Sequence, residues 1–415
     1  MLNKTMKKRE ILTLILTVLI AIFIYQRITV KIYHSVAPKP SFELINDKEI
    51  SSQKLFDNSW KIISKKYINA DLNSQDWNYW KKRYEGKIKT DDDAKVAIDT
   101  MLASLNDPYS RFLDKKEYEE QHSSIDAYIT GIGVNITTDS GKTIIHDVLE
   151  GTPAFKAGLK EDDIIVMVDN KDINGMDLSS VASIIRGPIN STVILKIKRG
   201  NKYFIKTIKR EKIEIKSVEH KIIKNNIGYI KIKSFMGTNT STDFIEALKS
   251  TEGTDGLILD LRGNTGGLLY NAVVISNLFI DHGKIVSIVY RNGEQKDIRA
   301  KNGLTLINKP TVVLVNERTA SASEIVSGAL KDNKKAILVG TKTYGKGLVQ
   351  QIIPMENKTG INITTSKYLT PNGSDINKTG IAPDYVIPYS LLNYKLHNDV
   401  QLKKAESIIA EMIKH

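Results

Sequence analysis

The chain of 415 residues contains no cysteine and carries a formal net charge of +13. Without cysteine it has no disulfide, no thiolate nucleophile and no cysteine metal site, and its seven histidines follow no metal-ligand or catalytic-triad spacing. The positive charge comes from lysines scattered along the chain, not from a cluster of arginine and aromatic residues, which argues against nucleic-acid binding. The length predicts two or three domains.

Residues 1–40 have the pattern of a targeting segment. Basic residues precede an apolar run from Ile11 to Tyr25, and Arg27 closes the run. No small-x-small cleavage site comes after it, which favours an uncleaved signal-anchor that spans the cell membrane once. The remainder of the chain is then extracytoplasmic, in a bacterial periplasm or at the outer face of the cell. Ala37 to Pro40 predicts a stiff spacer.

Residues 41–118 are predicted to form a helical domain. Helical apolar spacing or an acidic first turn marks four segments, which are Phe42–Ile50, Leu55–Tyr67, Asp76–Tyr84 and Asp91–Ser104. The domain closes with Leu105–Leu113, in which a proline turn lies between apolar anchors. We interpret this turn as structural, joining the helices to the next domain.

Residues 119–213 have the features of a peptide-binding module. Successive backbone N–H groups can hold the terminal carboxylate of a peptide, and here they are offered by Gly131, Ile132, Gly133 and Val134. Pro153–Gly158 predicts a short helix, and Ala154–Asp163 resembles a PDZ-domain pattern in which Asp162 replaces the usual turn glycine. Together with a helix over Leu178–Arg186, these features resemble a circularly permuted PDZ domain. Val181 and Ile185 are candidates for its side-chain pocket and, equally, for plain core residues.

Residues 214–390 alternate strands and helices, which predicts an α/β domain. Gly256–Leu261 is almost wholly apolar, as expected of a strand buried in a parallel sheet. The segment after it, Arg262–Gly267, ends in two glycines that let the backbone approach a substrate closely. Residues 391–415 predict an amphipathic C-terminal helix that packs on the N-terminal helices.

A serine and a lysine of the α/β domain have the setting that peptide hydrolysis requires. Ser321 lies on a turn between the apolar strand Thr311–Val315 and a predicted helix, so its hydroxyl is exposed and the next N–H is free to stabilise an oxyanion. Lys346 stands between two glycines and can serve as a base only when neutral, which requires burial away from carboxylates. The nearest acids along the chain are Asp332 and Glu356.

Two simpler interpretations compete with catalysis. Ser321 and Glu324 fit a Ser-x-x-Glu capping box at the start of a helix. Lys346, between its glycines, fits an ordinary turn.

Gly340–Lys346 also matches a phosphate-binding loop in all but its last position. Gly347 stands where a Ser or Thr hydroxyl would bind magnesium. The next residues, Leu348–Ile353, predict a strand instead of the helix whose N-terminus would bind phosphate. The sequence therefore argues against nucleotide binding.

Two motifs together resemble the carboxy-terminal processing proteases, also called tail-specific proteases. They read SASE at Ser321–Glu324 and TYGKGLVQ at Thr343–Gln350. The resemblance implies an α/β protease core of the ClpP/crotonase type, with Ser321 as nucleophile, Lys346 as general base and Gln350 orienting the lysine. It also implies backbone oxyanion donors, assigned to Gly266 or Gly267 and to Ala322.

By this resemblance the chain is a serine endopeptidase that uses no metal or other cofactor and selects proteins with apolar C-termini through its PDZ domain. The family pattern marks Arg186 as a contact that couples the PDZ domain to the core. A homodimer or an accessory regulatory protein remains open as a partner. The alternative is an inactive PDZ adaptor at the membrane, against which the intact Ser321, Lys346 and Gln350 argue.

Overall fold

The computed structural model describes residues 47–125, 128–214, 216–390, 393 and 398–414. The predicted signal-anchor and spacer lie outside these residues. So does the first half of the predicted helix Phe42–Ile50, and residues 47–50 are not helical. Within the described ranges, no helix combines the length and the apolar character needed to cross a membrane.

The helices and strands follow one another along the whole described chain. The helices are α1 Ser52–Lys66, α2 Trp77–Tyr84, α3 Asp91–Ala103, α4 Lys115–Ile125, α5 Pro153–Lys156, α6 Leu178–Ile185, α7 Thr240–Ser250, α8 Leu269–Asn277, α9 Ala322–Asp332 and α10 Val400–Lys414. The strands are β1 Arg111–Leu113, β2 Tyr128–Gly131, β3 Val134–Asp139, β4 Lys142–Val148, β5 Ile164–Val168, β6 Lys171–Asp172, β7 Thr192–Arg199, β8 Lys202–Lys209, β9 Glu211–Glu214, β10 Val218–Ile223, β11 Ile227–Ile232, β12 Gly256–Asp260, β13 Lys284–Tyr290, β14 Gln295–Arg299, β15 Thr311–Val315, β16 Ile337–Gly340, β17 Leu348–Pro354, β18 Gly360–Leu369 and β19 Tyr385–Val386.

The chain divides into two compact units. The large unit comprises the described residues up to Glu120 and those from Ser217 onward, and the small unit comprises Gln121–Lys216. The predicted helical domain and the predicted α/β domain thus lie in one unit. Their shared core explains why, because helices α1 and α3 pack on β18 through Phe56, Ile98 and Ile361.

The large unit is built around a sheet of order β10-β11-β12-β15-β16-β19, in which the strands from β11 to β19 run parallel. Helices α7, α8 and α9 cover one face, where Leu259 and Val313 contribute to the main hydrophobic core. Every residue of β12 and of β15 is buried, as expected of parallel strands covered on both faces. Because β12 and β15 are neighbours, the loops that leave their carboxyl ends lie side by side.

The C-terminal helix covers the other face of the same sheet. Ile408 and Ile409 of α10 are buried and pack against Ile258, Val312 and Leu314. The prediction that this helix packs on the N-terminal helices is therefore wrong. The composition of β12 and β15 explains the difference, since both strands are apolar on both faces and one face would otherwise be exposed.

The small unit has a core of its own. Its main sheet has the order β3-β4-β5-β7-β8, and β2 pairs with β9 in a separate ribbon. Asp162, which replaces a glycine in the predicted turn, has a φ of 65°. Asp adopts this left-handed conformation more readily than most residues, so the turn forms as the sequence predicts.

Candidate active site

Ser321 has a strained backbone between β15 and α9. Its φ of 56° and ψ of −118° lie in a region that non-glycine residues rarely occupy, at a cost of about 1–3 kcal/mol. The preceding turn is held in place by Thr319, whose Oγ1 donates to the carbonyl of Leu261 at 2.9 Å. This sharp turn leaves the Ser321 side chain partly exposed, as in a nucleophile elbow.

Glu324 connects the serine turn to the lysine turn. One carboxylate oxygen accepts hydrogen bonds from the N–H groups of Ser321 and Lys346, each at 2.9 Å. The other accepts from the N–H of Gly345 at 2.7 Å and from Thr343 Oγ1 at 2.6 Å. The Glu324 half of the capping box suggested by the sequence is present, because its carboxylate accepts from the N–H of Ser321, and the same carboxylate also fixes the segment that carries the lysine.

The glycine loop after β12 contacts the serine turn directly. A Cβ atom on Gly266 would lie 2.8 Å from the Cβ of Ser321 and 2.7 Å from the carbonyl oxygen of Ala320, so only glycine permits this approach. Asn264 joins the two turns, because its carbonyl accepts from the N–H of Ala320 and from Ser323 Oγ, each at 3.0 Å.

The two glycines predicted as oxyanion donors differ in whether their N–H group is already hydrogen-bonded. The N–H of Gly266 donates to Asn264 Oδ1 at 2.9 Å, so the choice between Gly266 and Gly267 that the sequence left open falls on Gly267. Within the described residues, the N–H groups of Gly267 and Ala322 have no hydrogen-bond acceptor.

Lys346 is largely buried next to the serine turn, but it faces an aromatic ring. Its Nζ lies 4.6 Å from the centroid of Tyr109. Burial lowers the pKa of Lys346, and this outweighs the opposite effect of the Asp107 and Glu324 carboxylates. The acids that the sequence places nearest along the chain, Asp332 and Glu356, do not contribute.

Three residues of this site were missed as site residues by sequence reasoning. Asp107 and Tyr109 belong to the proline turn that was interpreted as structural, and that turn is fixed to β18 because Ser110 Oγ accepts from the N–H of Thr364 at 3.0 Å. Tyr368, on the same strand, donates from its hydroxyl to the Ser321 carbonyl at 3.2 Å. The spacing of these residues in the sequence gives no signal of such proximity.

Gln350 makes a contact that its predicted role does not require. Its Nε2 donates to Thr364 Oγ1 at 3.2 Å, across the β17–β18 pair. In the described part of the chain no hydrogen bond joins Gln350 to Lys346, or Lys346 Nζ to Ser321. The structure thus brings the serine and lysine turns together without closing the predicted catalytic relay.

The small unit presents the predicted carboxylate loop between β2 and β3. Gly133 has a φ of 86°, and the Thr152 side chain lies too close to it for any Cβ. The carbonyls of Ile132 and Gly133 accept hydrogen bonds from Ala154 and Leu149, whereas their N–H groups have no acceptor among the described residues. The loop therefore offers two adjacent free donors, with Gly131 before them and Val134 opening β3.

The predicted pocket residues lie in the core of the small unit. Val181 is 0% exposed and Ile185 is 5% exposed, so the structure shows the core interpretation that the sequence left open. Arg186 ends α6 and is exposed. The buried Arg210 holds this helix end, donating to the carbonyls of Ile184 and Ile185.

Comparisons with known proteins agree with this architecture. Residues 226–387 match the model of peptidase family S41, and residues 144–199 match a PDZ domain. The chain is 36% identical over 372 residues to the carboxyl-terminal-processing protease of Picosynechococcus sp., covering 86% of this chain and 89% of that protein. It is 40% identical over 301 residues to the carboxy-terminal processing protease CtpA of Bacillus subtilis, covering 71% of this chain and 64% of that protein.

A solved structure shows the same relationship. The photosystem II D1 C-terminal processing protease superposes with a TM-score of 0.56 at 31% identity, covering 84% of this chain and 96% of that chain. The identity and coverage of these relatives exceed what a shared fold alone would give. The chain therefore belongs to the carboxyl-terminal processing proteases, which are serine peptidases of family S41, and carries their PDZ domain.

Proposed function

We propose that Ser321 is the nucleophile of this peptidase, with Lys346 as its general base. The observation that carries the proposal is Glu324, which binds the backbone of both residues at 2.9 Å. A shared anchor of this kind fixes the separation of nucleophile and base, as catalysis by proximity requires. Gly267 and Ala322 supply the two free N–H groups for the oxyanion.

The reaction uses each of these groups in turn. Ser321 Oγ attacks the carbonyl carbon of the scissile peptide bond while neutral Lys346 takes the hydroxyl proton. The negative charge on the carbonyl oxygen is stabilised by the N–H groups of Gly267 and Ala322. Lys346 then gives the proton to the leaving amine, and water hydrolyses the acyl-enzyme with the same lysine as base.

We infer that this arrangement of the site precedes catalysis. A cation over the face of Tyr109 is stabilised by the ring, so this contact favours the protonated lysine that cannot act as a base. Catalysis requires the Lys346 amine to turn from Tyr109 toward Ser321. It also requires the Gln350 side chain to leave Thr364 and to form a hydrogen bond with the lysine instead. Docking of a substrate is the event that drives this rearrangement.

The PDZ domain selects the substrate by its C-terminus. The free N–H groups of Ile132 and Gly133 would hold the terminal carboxylate through charge-assisted hydrogen bonds. An apolar terminal side chain would enter beside α6, and Val181 and Ile185 would have to move apart to line its pocket. Proteins with unstructured, apolar C-termini are therefore the substrate class.

The catalytic part works outside the cytoplasm. This assignment rests on residues 1–40, where a basic start and an apolar run have the pattern of an uncleaved signal-anchor. The inactive adaptor considered from the sequence is not favoured, because the chain belongs to a family of peptidases and retains Ser321, Lys346 and Gln350.

Substitutions at Ser321 should separate activity from stability. Ser321→Ala and Ser321→Gly should each lower kcat/KM by roughly 10⁴-fold or more, because both remove the nucleophile. The glycine variant should unfold at a Tm several degrees above the alanine variant, because glycine adopts a φ of 56° without strain. Cleavage of a quenched fluorescent peptide with an apolar C-terminus and thermal unfolding measure the two effects. Activity in either variant would show that the nucleophile is elsewhere.

The pH dependence should report the lysine. Because only neutral Lys346 is a base, kcat/KM should rise with pH through its lowered pKa. Asp107 raises that pKa, so Asp107→Asn should move the rise to lower pH, and Lys346→Arg should be inactive because a guanidinium keeps its proton. Asp57→Asn, at a partly exposed position on α1, is the control. A midpoint that Asp107→Asn leaves unchanged would contradict the assignment.

Binding should depend on a free C-terminus. Each charge-assisted hydrogen bond to the carboxylate contributes ~1.5–3 kcal/mol, so amidating a peptide should weaken its affinity by roughly tenfold or more. Fluorescence polarisation with the full-chain Ser321→Ala protein measures binding without cleavage. Equal affinities for the free and amidated peptides would rule out carboxylate recognition.

A further inference from the structure

Arg262, at the start of the glycine loop, is held by the C-terminal helix. Its Nη1 and Nη2 donate to the two carboxylate oxygens of Asp399, each at 2.9 Å. Its Nη1 also donates to Gln401 Oε1 at 3.1 Å. On its other side, Nη2 donates at 2.7 Å to Asp260, the last residue of β12, which is fully buried. The guanidinium thus bridges the end of the central strand and the start of α10.

We propose that the N-terminal end of α10 supports the active site, and that Asp399 acts through Arg262 to position the loop that carries the oxyanion donor Gly267. The proposal rests on the proposed function, because it requires the assignment of Gly267 as a donor. Arg262 and Asp399 are positioning residues that touch no substrate. The loop meant here is Leu261–Gly267.

A continuous chain of bonds leads from Arg262 to the serine turn. The N–H of Arg262 donates to Asp260 Oδ1 at 2.9 Å, so backbone and side chain of the arginine share one carboxylate. Two residues later, Asn264 accepts from Gly266 and Ala320. A shift of Arg262 would therefore move Asn264, and with it both Gly267 and the turn before Ser321.

Asp399 is suited to this role by geometry. It caps α10, because its Oδ1 accepts from the N–H of Leu402 at 2.9 Å, and its two oxygens match the planar fork of the guanidinium. Burial raises the pKa of Asp399, but the hydrogen bonds and charge of Arg262, together with the backbone N–H groups of Leu402 and Gln401, outweigh burial and leave the pKa below its usual value. The carboxylate is therefore charged at neutral pH.

The helix does not need this pair in order to dock. Ile408 and Ile409 are buried against the sheet, and this apolar contact lies about two and a half to three turns further along the helix than Asp399. Substitutions at Asp399 and at Ile409 can therefore separate two roles of α10, which are to hold Arg262 and to dock on the sheet. Asp399→Asn keeps a capping side chain but loses the charge that holds Arg262, whereas Ile409→Ala weakens docking and leaves the pair in place.

The test is steady-state kinetics on the full chain in detergent with a quenched peptide substrate. Asp399→Asn should lower kcat about tenfold or more with KM within about twofold, because the loss concerns the transition state. Inhibition by a peptidyl aldehyde, whose adduct oxygen occupies the oxyanion position, should weaken by a similar factor. Asp399→Glu should restore part of the rate.

Two controls separate positioning from general loosening. Ile409→Ala should keep a near-normal kcat, even though its Tm should fall by at least as much as the Tm of Asp399→Asn. Arg262→Lys, which keeps the charge but loses the two-pronged geometry, should resemble Asp399→Asn, and the double variant should be no worse than Arg262→Lys alone. Arg262→Lys also serves as the second variant if Asp399→Asn does not fold.

Different results would overturn this proposal and the proposed function. A normal kcat in a folded Asp399→Asn or Arg262→Lys protein would overturn the proposal, as would additive effects in the double variant. The proposal would also be overturned if Ile409→Ala lost as much kcat as Asp399→Asn while the two variants had the same Tm. Absence of cleavage by the unmodified chain, or full activity in Ser321→Ala, would instead refute the proposed function.

Discussion

The proposed active site depends on one buried carboxylate. Glu324 is 0% exposed, and burying a charge of this kind is costly unless it is hydrogen-bonded. Three backbone N–H groups and one hydroxyl satisfy it. Removing the carboxylate would leave these donors without an acceptor, at about 1–3 kcal/mol each. The same bonds fix the serine turn to the lysine turn, so the stability of the loops and the geometry of the site have one origin.

The strained serine is supported from several sides by this framework. Residues in such a conformation persist only where the surroundings over-determine them, and here β15 leads into Ser321, α9 leaves it, and Tyr368 binds its carbonyl. The glycine loop of the neighbouring strand contacts it on a further side. Because α10 in turn holds that loop through Arg262, an element remote in sequence is connected to Ser321 through only a few contacts.

Sequence reasoning succeeded where the chemistry is local. The apolar strands around Leu259 and Val313 and the turn at Ser321 were predicted because their patterns are contained in a few consecutive residues. Partners remote in sequence were not predictable: the ring of Tyr109 over Lys346, the amide of Gln350 on Thr364, and the face on which α10 packs. Amphipathic spacing shows that a helix has an apolar face and does not show which surface will cover it.

The most direct test of this account is the site at which a fluorophosphonate reacts with the full chain. Such reagents label the activated serine of a serine hydrolase, and mass spectrometry of the tryptic peptide that begins at Thr319 locates the adduct. We expect labelling at Ser321 that becomes faster as the pH rises and is lost in the Lys346→Ala protein. Labelling at Ser323, or undiminished labelling of Ser321 without the lysine, would contradict it.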